Sequence, residues 1–302
     1  MKKLLWTLIA LLVVGVPGCY VLAYQQPSEV KDFPLDLAKV RELANSLPGE
    51  KPAEVRYENV MALSFTESMI MAGEPWQKSL MPVYSYQLVY PDSTLIVDTA
   101  LDRSIAQPGF MVAMFDDASY GRMSTAMEKA AQIVITHEHM DHIGGITAHP
   151  HLQALLPALR LTREQLANPK GMEPAVMPAG ALKDYKPLEY QDLLALAPGV
   201  VLIKSPGHTP GSQMVYVQRA DGRELLFLGD VSWRLRNIEL ERERPLFMTL
   251  IIGEDRGAVL GEFRTLHRLM QAEPKLKLVP GHDGPAIQAL TGEGLLVQGF
   301  KP

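Results

Sequence analysis

The chain has 302 residues, of which 47% are hydrophobic and 21% charged, and its formal net charge at pH 7 is −5. This composition excludes an intrinsically disordered chain, and the acidic balance argues against a nucleic-acid partner, whose phosphates require a basic surface. Cys19 is the one cysteine, so the sequence offers no internal disulfide and no thiolate ligand or nucleophile beyond position 19.

The N-terminus is predicted to be a targeting segment. A pair of lysines precedes an unbroken apolar run over 4–16, and a plausible cleavage point at 21–23 precedes a polar stretch that begins at Tyr24. This order is typical of a secretory signal and predicts an exported protein, in the bacterial periplasm or tethered to the membrane and facing the periplasm or exterior. Two alternatives stay open: an uncleaved membrane anchor over 4–24, and lipidation at Cys19.

The predicted organisation has three parts. Residues 1–23 form the signal peptide or anchor, 24–54 an N-terminal extension, and 55–302 one globular domain. The candidate site residues span 98–282, so no domain boundary can be drawn within that stretch without dividing the site.

Strand-like and helix-like patterns alternate along the globular part. In chain order, the predicted elements are strands over 85–89 and 94–97, a helix over 124–131, a strand over 133–136, and helices over 152–160 and 191–197. Three later apolar runs, over 200–203, 225–228 and 276–279, close on glycine or proline turns and predict buried strands. The alternation predicts a layered α/β fold with mixed sheets.

The densest group of chemically active residues follows the strand predicted over 133–136. The motif reads His-Glu-His-Met-Asp-His from His137 to His142, and two glycines come after it. Imidazole nitrogens and carboxylate oxygens are ligands that zinc and similar divalent metals accept. An extended backbone sends His137 and His139 to one side, and Asp141 and His142 follow where the chain turns. The motif therefore predicts a metal site with room for a second ion.

The other candidate ligands stand at the ends of the three later strands. His208, Asp230 and His282 each follow one of these apolar runs, at a turn that contains glycine or proline. Side chains at strand ends gather on one rim of a layered fold, so we expect these three beside the histidine motif. Glu138 falls between two ligands of the motif and is expected to point away from the metals.

These motifs, in this order, resemble those of the metallo-β-lactamase-fold hydrolases, over roughly residues 55–290. The resemblance implies an αβ/βα four-layer sandwich of two mixed β-sheets flanked by helices, with two metals at the sheet edge. The implied ligands are His137, His139 and His208 for one metal, Asp141, His142 and His282 for the other, and Asp230 as a bridge. Asp98, at the end of the strand predicted over 94–97, is expected to orient a ligand rather than bind metal.

The resemblance implies a hydrolase with two zinc ions per chain, with iron or manganese as alternative metals. A metal-bridging hydroxide would attack a carbonyl, and Asp141 would accept or relay a proton. The bridging aspartate favours relatives that cleave lactones or other esters, although Trp233 stands where known lactonases have a tyrosine. The alternatives are a β-lactam hydrolase, a non-hydrolytic metal-binding protein, and a mononuclear iron dioxygenase on the same fold.

Methionine-rich segments are candidate walls of a substrate pocket. The segments 61–81 and 110–127 suit a small lipophilic substrate, because methionine adapts to irregular apolar shapes, but core packing accounts for them as well. Candidate oxyanion donors, which spacing does not separate, are Tyr84, Tyr86 and Tyr120.

The expected partner is a small molecule. Membrane contact is expected only through the N-terminal segment, no nucleic-acid partner is expected, and the oligomeric state is left open. His149 and His151 are expected to be exposed loop residues, His267 to lie on a helix flank, and the mixed-charge run 239–244 to be a solvated face or loop.

Overall fold

A computed structural model describes residues 15–106 and 111–301 of the chain. Its strands are β1 (Glu54–Thr66), β2 (Lys78–Val89), β3 (Thr94–Val97), β4 (Val112–Phe115), β5 (Gln132–Val134), β6 (Leu193–Ala197), β7 (Val200–Lys204), β8 (Gln213–Gln218), β9 (Glu224–Gly229), β10 (Leu276–Pro280) and β11 (Val297–Gln298). Its helices are α1 (Leu37–Ala44), α2 (Glu67–Ile70), α3 (Asp117–Lys129), α4 (Met140–Thr147), α5 (Leu152–Leu155), α6 (Arg163–Ala167), α7 (Pro169–Met172), α8 (Leu235–Glu239), α9 (Leu246–Ile252), α10 (Arg256–Ala272) and α11 (Gly284–Gly292). A further helical segment lies over 15–24.

The first sheet has the strand order β11-β1-β2-β3-β5, and β4 also pairs with β1. β1 and β2 are long antiparallel partners, with Tyr57 opposite Tyr86. β3 and β5 are parallel, with Leu95 opposite Gln132. The carboxyl ends of β3 and β5 therefore meet at one edge of the sheet, where Asp98 and the histidine motif follow.

The second sheet has the order β10-β9-β8-β7-β6. β9 and β10 are parallel, with Leu226 opposite Leu278, whereas β8 runs antiparallel to both β7 and β9. β7, β9 and β10 consequently run in the same direction and end on the same rim. Every residue of β9 is buried, as expected for a strand covered on both faces.

The two sheets face each other across an apolar core. Leu88, Val134, Val215 and Phe227 belong to this core and are at most 1% exposed. A second apolar cluster joins α1 and α10 to the other face of the second sheet, and a third joins α3 and α4 to the first sheet. This layering is the predicted αβ/βα sandwich of two mixed sheets flanked by helices.

Most of the predicted elements are present. The predicted strands correspond to β2, β3, β5, β7, β9 and β10, and the predicted helix over 124–131 overlaps α3.

Two predicted helices are wrong in type or extent. Residues 191–197 contain β6, whose Leu194 lies opposite Leu202 of β7. Five consecutive small or apolar residues carry no period that separates helix from strand, and pairing with the sheet edge decides the outcome. The helix predicted over 152–160 is helical only over α5, since Pro157 disfavours helix in the preceding residue and lacks a backbone N–H.

The predicted targeting segment lies largely outside the described residues, which begin at position 15. Among the helices that the structure does describe, none combines the length and apolar character needed to span a bilayer. Export, cleavage, anchoring and lipidation therefore stay predictions, as do the domain bounds.

Candidate metal centre

The histidine motif occupies the connection between β5 and α4. After β5 ends at Val134, the chain passes His137, and His139 forms the N-cap of α4 with extended backbone at φ −65° and ψ 150°. The first turn of α4 then carries Asp141 and His142. A strand end followed by a helix start thus points four polar side chains into one region.

The two glycines after the motif allow close packing of α4 on the chain that follows β3. A Cβ at Gly145 would lie 2.1 Å from the Thr99 oxygen, and one at Gly144 would lie 3.1 Å from Leu101 Cα. Only glycine fits at the first of these distances. The chain continues as helix through both glycines.

Strand ends of the second sheet bring the other candidate ligands to the same rim. His208 follows β7, Asp230 comes directly after β9, and His282 follows β10. Gly229 ends β9 with φ +52°, and a Cβ there would lie 2.7 Å from Thr136. This left-handed turn, available to glycine at little cost, brings Asp230 against the histidine motif.

His137, His139, His208 and Asp230 form the first group of ligand atoms. Nδ1 of His139 lies 3.0 Å from Nε2 of His137 and 3.0 Å from Nε2 of His208. Oδ2 of Asp230 lies 3.8 Å from the first of these Nε2 atoms and 3.5 Å from the second. Ligands of a tetrahedral zinc ion lie about 3.3–3.6 Å apart, given bonds of about 2.0–2.2 Å. The group therefore could hold one metal ion.

Asp141, His142 and His282 form the second group. Oδ2 of Asp141 lies 3.8 Å from His142 Nε2 and 3.6 Å from His282 Nε2. Oδ1 of Asp230 lies 3.3 Å and 3.0 Å from the same two nitrogens. Asp230 thus turns one carboxylate oxygen towards each group, which is the arrangement of a bridging ligand.

Two atoms at this centre show that the residues fit a cation. His142 Nε2 and Asp230 Oδ1 are buried and have no hydrogen-bond partner among the residues that the structure describes. Each such atom costs about 1–3 kcal/mol when nothing satisfies it. Both lie on the second group, where a divalent ion would satisfy them. A donor set of imidazoles and carboxylates suits zinc, iron or manganese.

Oxygen acceptors hold the outward-facing nitrogens of three of the histidines. These contacts are His142 Nδ1 to Asp98 Oδ2 at 2.8 Å, His208 Nδ1 to Glu254 Oε1 at 2.5 Å, and His282 Nδ1 to the Pro82 carbonyl at 2.8 Å. An Nδ1–H donor in each contact leaves Nε2 free to face a metal, as is usual for metal-binding histidines.

Asp98 lies behind the centre and contacts both Thr136 and His142. Its Oδ1 accepts from the Thr136 backbone N–H at 2.7 Å, and its Oδ2 accepts from the Thr136 hydroxyl at 2.8 Å as well as from His142. Its backbone has φ +59°, an uncommon conformation for a residue other than glycine. The carboxylate thereby fixes both the start of the motif and one imidazole.

Burial and charge set the protonation of the two groups. Burial lowers the pKa of His139 and of His208 to about 3, so both imidazoles are neutral. Burial also acts to lower the pKa of His142 and His282, but neighbouring carboxylates outweigh it and raise both. Burial acts to raise the pKa of Asp230, but the nearby imidazoles hold it well below its ordinary value. The neutral imidazoles of His139 and His208 can therefore bind a metal directly. The imidazoles of His142 and His282, whose pKa is raised, would release protons when a metal binds.

The Lactamase_B family model, described as Metallo-beta-lactamase superfamily, matches residues 80–282. The chain belongs to this superfamily. A probable metallo-hydrolase of Mycobacterium tuberculosis is 27% identical over 210 residues, or 62% of this chain and 66% of the relative. The match thus spans just under two thirds of that relative's length. An N-acyl homoserine lactonase of Bacillus thuringiensis subsp. kurstaki is 22% identical over 218 residues, or 67% of this chain and 82% of the relative.

Solved structures show the same fold. A quorum-quenching N-acyl homoserine lactone lactonase matches with a TM-score of 0.64 at 19% identity, covering 80% of this chain and 97% of that one. An N-acyl homoserine lactone hydrolase with N-hexanoyl-L-homoserine bound at its catalytic metal centre gives 0.62 at 19% identity, covering 79% and 96%. The predictions of the superfamily and of the fold class are therefore confirmed.

A cavity with a volume of about 640 Å³ opens onto the centre. Candidate ligands that line it are His139, Asp141, His208, Asp230 and His282. Much of the remaining wall is apolar and includes Leu63, Phe65, Met69, Met81, Met111, Met140, Trp233, Met248, Leu250, Ile251 and Ile252.

The methionine-rich segments divide between the wall and the core. Met69, Met81 and Met111 line the cavity, whereas Met61 and Met123 are fully buried in the apolar cluster below it. The two segments therefore contribute both to the cavity wall and to the core. Met140 and Met248 complete the wall from α4 and α9, which sequence reasoning did not select.

The candidate oxyanion donors do not reach this cavity. Tyr84 and Tyr86 lie in the core between the sheets, where burial raises the pKa of both hydroxyls. The Tyr120 hydroxyl donates a hydrogen bond to Asp102, which is not one of the candidate ligands. None of the three is among the described residues that line the cavity.

Residues near the motif behave partly as expected. Glu138 points away from the centre and accepts from Asn168 at 2.7 Å and from the Thr209 hydroxyl at 2.9 Å. His151 is exposed, but the expectation for His149 is wrong: it is 4% exposed and lies 3.0 Å from the Ser124 hydroxyl.

His267 lies partly buried on α10 with Nδ1 3.0 Å from the Ile238 carbonyl, as expected for a helix flank.

The run 239–244 is not a fully solvated face, because Glu243 and Arg244 are each 1% exposed. Arg244 places its guanidinium 4.1 Å from the centre of the Trp233 ring and its Nη1 2.6 Å from Glu254 Oε1. Sequence reasoning missed Arg244 and Glu254, because a charged residue in a mixed-sign run shows no local sign of burial. Trp233 was noticed only through its departure from the lactonase pattern.

Proposed function

We propose that this chain is an exported dinuclear metal hydrolase that opens lactones or related esters with an apolar acyl portion. The observation that carries the proposal is a double cluster of ligands, joined by Asp230, on the floor of a largely apolar cavity. The relative named N-acyl homoserine lactonase supports the choice of a lactone.

Each of the two ligand groups would hold one ion. His137, His139 and His208 would hold one ion, Asp141, His142 and His282 the other, and Asp230 would bridge them. Zinc bound there would bring the pKa of a coordinated water towards neutrality and polarise a substrate carbonyl, and iron or manganese are alternatives.

Asp141 is the residue that we assign to proton transfer. Its Oδ2 faces the second ligand group, and the residue also lines the cavity. It would accept the proton of the attacking water and return it to the departing oxygen. The apolar wall, with Phe65, Met69 and Met248, would exclude bulk water and position the acyl portion.

Turnover by the zinc-reconstituted full chain tests the reaction class. Proton release is measured with a long-chain acyl lactone, a short-chain acyl lactone and a chromogenic cephalosporin. We expect faster turnover of the long-chain lactone, and a loss of about 100-fold or more in Asp141→Ala. His151→Ala, which changes an exposed histidine, is the matched control and should retain activity. Cephalosporin turnover without lactone turnover would refute the proposed substrate class.

Metal analysis tests the two-ion assignment. We expect two zinc ions per full chain, about one in His142→Ala, and two in His151→Ala. A single ion in the wild-type chain, or iron alone, would instead favour the mononuclear alternative.

The exported location is supported by the apolar run over 4–16 and the preceding lysines. A reporter that is active only outside the cytoplasm, fused after residue 30, should be active. An inactive reporter that is nevertheless produced would contradict export.

A further inference from the structure

Four exposed apolar side chains lie on, or next to, elements that line the cavity. Trp76 is 72% exposed, Leu80 57%, Leu250 67% and Ile251 75%. Leu250 and Ile251 line the cavity itself, and Trp76 stacks on Phe247 of the same helix, α9, with ring centroids 6.5 Å apart. We refer to Trp76, Leu80, Leu250 and Ile251 as the apolar rim. Single exposed apolar residues are ordinary, but a group beside a cavity marks an interaction surface.

The N-terminal helical segment joins the domain beside this rim. A Cβ at Gly73 would lie 3.5 Å from Tyr24 Cε1, so the end of the segment lies against the chain three residues before Trp76. The preceding sequence, from position 4 onward, is apolar. The end of the described helical segment, at Tyr24, therefore lies on the side of the molecule that carries the rim.

The segment itself is exposed around its circumference. Val16 is 60% exposed, Tyr20 64% and Tyr24 47%, and Val21 and Leu22 on other sides are 40% and 44% exposed. Over 15–24 the apolar side chains are therefore not buried against the domain. An apolar partner outside the chain would cover both the segment and the rim.

We propose that the apolar rim rests on a phospholipid bilayer, where the N-terminal segment holds it. Tyrosine and tryptophan are favoured at the level of lipid headgroups, which suits Tyr20, Tyr24 and Trp76. In this orientation the cavity opens towards the lipid, and a lipophilic molecule reaches it without crossing bulk water. The inference goes beyond the proposed activity and does not depend on which bond is cut.

The test measures whether the apolar rim contacts lipid when the full chain is bound to vesicles. Vesicle binding alone is no test, because an apolar run as long as that over 4–16 would bind lipid whether or not the rim does. In a Cys19→Ser background, an environment-sensitive fluorophore is attached at Trp76→Cys or at Ile251→Cys, and circular dichroism confirms folding. Ala220→Cys is the matched control, since Ala220 is exposed in the β8–β9 turn at the opposite end of the strands.

The vesicles contain phosphatidylcholine, with or without a doxyl-labelled lipid quencher. We expect a blue shift and doxyl quenching for the probes at 76 and 251, and neither for the probe at 220. Unchanged rim probes in a chain shown by flotation to be vesicle-bound would overturn the proposal. A shift that grows with protein concentration in the absence of lipid would overturn it in favour of a second copy of the chain. A shift already complete in the lipid-free monomer would overturn it in favour of residues 1–14 covering the rim.

Discussion

Asp230 is held by side chains from two directions. Trp233 donates its Nε1–H to Asp230 Oδ2 at 2.6 Å, and Arg244 Nη2 donates to the Asp230 carbonyl at 2.5 Å. Arg244 also pairs with Glu254, which accepts from His208. One connected set of contacts therefore positions candidate ligands at two strand ends. Removal of partners of this kind commonly changes metal affinity or activity by about 10–100-fold.

Trp233→Phe removes the hydrogen bond to Asp230 while keeping an aromatic ring under Arg244. We expect about a tenfold weaker zinc affinity, because Asp230 Oδ2 loses the donor that orients it. Competition with a chromophoric chelator measures this affinity. Trp76→Phe changes an exposed tryptophan and should leave the affinity unaltered. Equal affinities of Trp233→Phe and wild type would show that the indole N–H does not position the carboxylate.

Among the elements, the end of β9 has the strictest local requirement. Gly229 combines a positive φ with a Cβ position 2.7 Å from Thr136 Cβ and Oγ1. Gly222, in the β8–β9 turn, also has a positive φ, +81°, but its Cβ position is open. Alanine substitutions at the two glycines therefore distinguish the free-energy cost of the backbone conformation from that of steric crowding.

Gly222→Ala is expected to lower the free energy of unfolding by about 1–2 kcal/mol, the cost of a left-handed residue with a Cβ. Gly229→Ala should lower the free energy of unfolding by about 1–3 kcal/mol more, because its methyl group displaces Thr136 and with it the histidine motif. Denaturant unfolding of both variants measures the difference. Equal losses would mean that Thr136 moves aside without resistance.

The first half of α10 buries a carboxylate that the centre does not use. Glu262 is 1% exposed, and within the described part of the chain its Oε2 has no hydrogen-bond partner. Burial raises its pKa well above the ordinary value, and the charges of Glu254 and Asp255 raise it further. A raised folded-state pKa favours folding below the unfolded pKa, and that contribution is lost as pH rises through the folded pKa.

Glu262→Gln should therefore gain stability relative to wild type as pH rises from about 4.5 towards 8, by about 1.4 kcal/mol for each pH unit between the two pKa values. Thermal unfolding across this range measures the gain. Glu239→Gln, at an exposed position, should show no such trend. A difference between Glu262→Gln and wild type that does not vary with pH would contradict a buried, protonated carboxyl.

At the scale of the molecule, the centre joins the two halves of the sandwich. The motif extends from the first sheet, whereas His208, Asp230 and His282 extend from the second. Any ion held by both sets would link the sheets, and its binding free energy would add to the stability of the fold.

Chelation of the zinc-loaded full chain should lower its melting temperature, and added zinc should restore it. The expected loss is about 3–4 kcal/mol for zinc present at 100–1,000 times its dissociation constant. Calorimetry at fixed pH with and without chelator measures the change. A melting temperature unaffected by complete zinc removal would show that the centre does not link the sheets.

The histidine motif and the strand-end residues could be predicted because their chemistry is local. Three imidazoles and two carboxylates within six residues seldom occur together except to bind metal, and apolar runs that close on glycine indicate where strands end. The resemblance to a known superfamily then ordered these ligands. The same local patterns failed over 191–197, where the sequence suits helix and strand alike and only a neighbouring strand decides.

The sequence by itself determined the superfamily, the layered sandwich and which side chains are candidates for metal. Only the tertiary structure decided that Arg244 and Glu254 are buried behind those candidates, that Trp233 donates to Asp230, and which methionines line the cavity. The physical reason is that burial and side-chain hydrogen bonding depend on how separate elements pack together. Arg244 is buried because Trp233, Asp230 and Glu254 together stack on its guanidinium and bind it, and no pattern around position 244 indicates that these three side chains converge there.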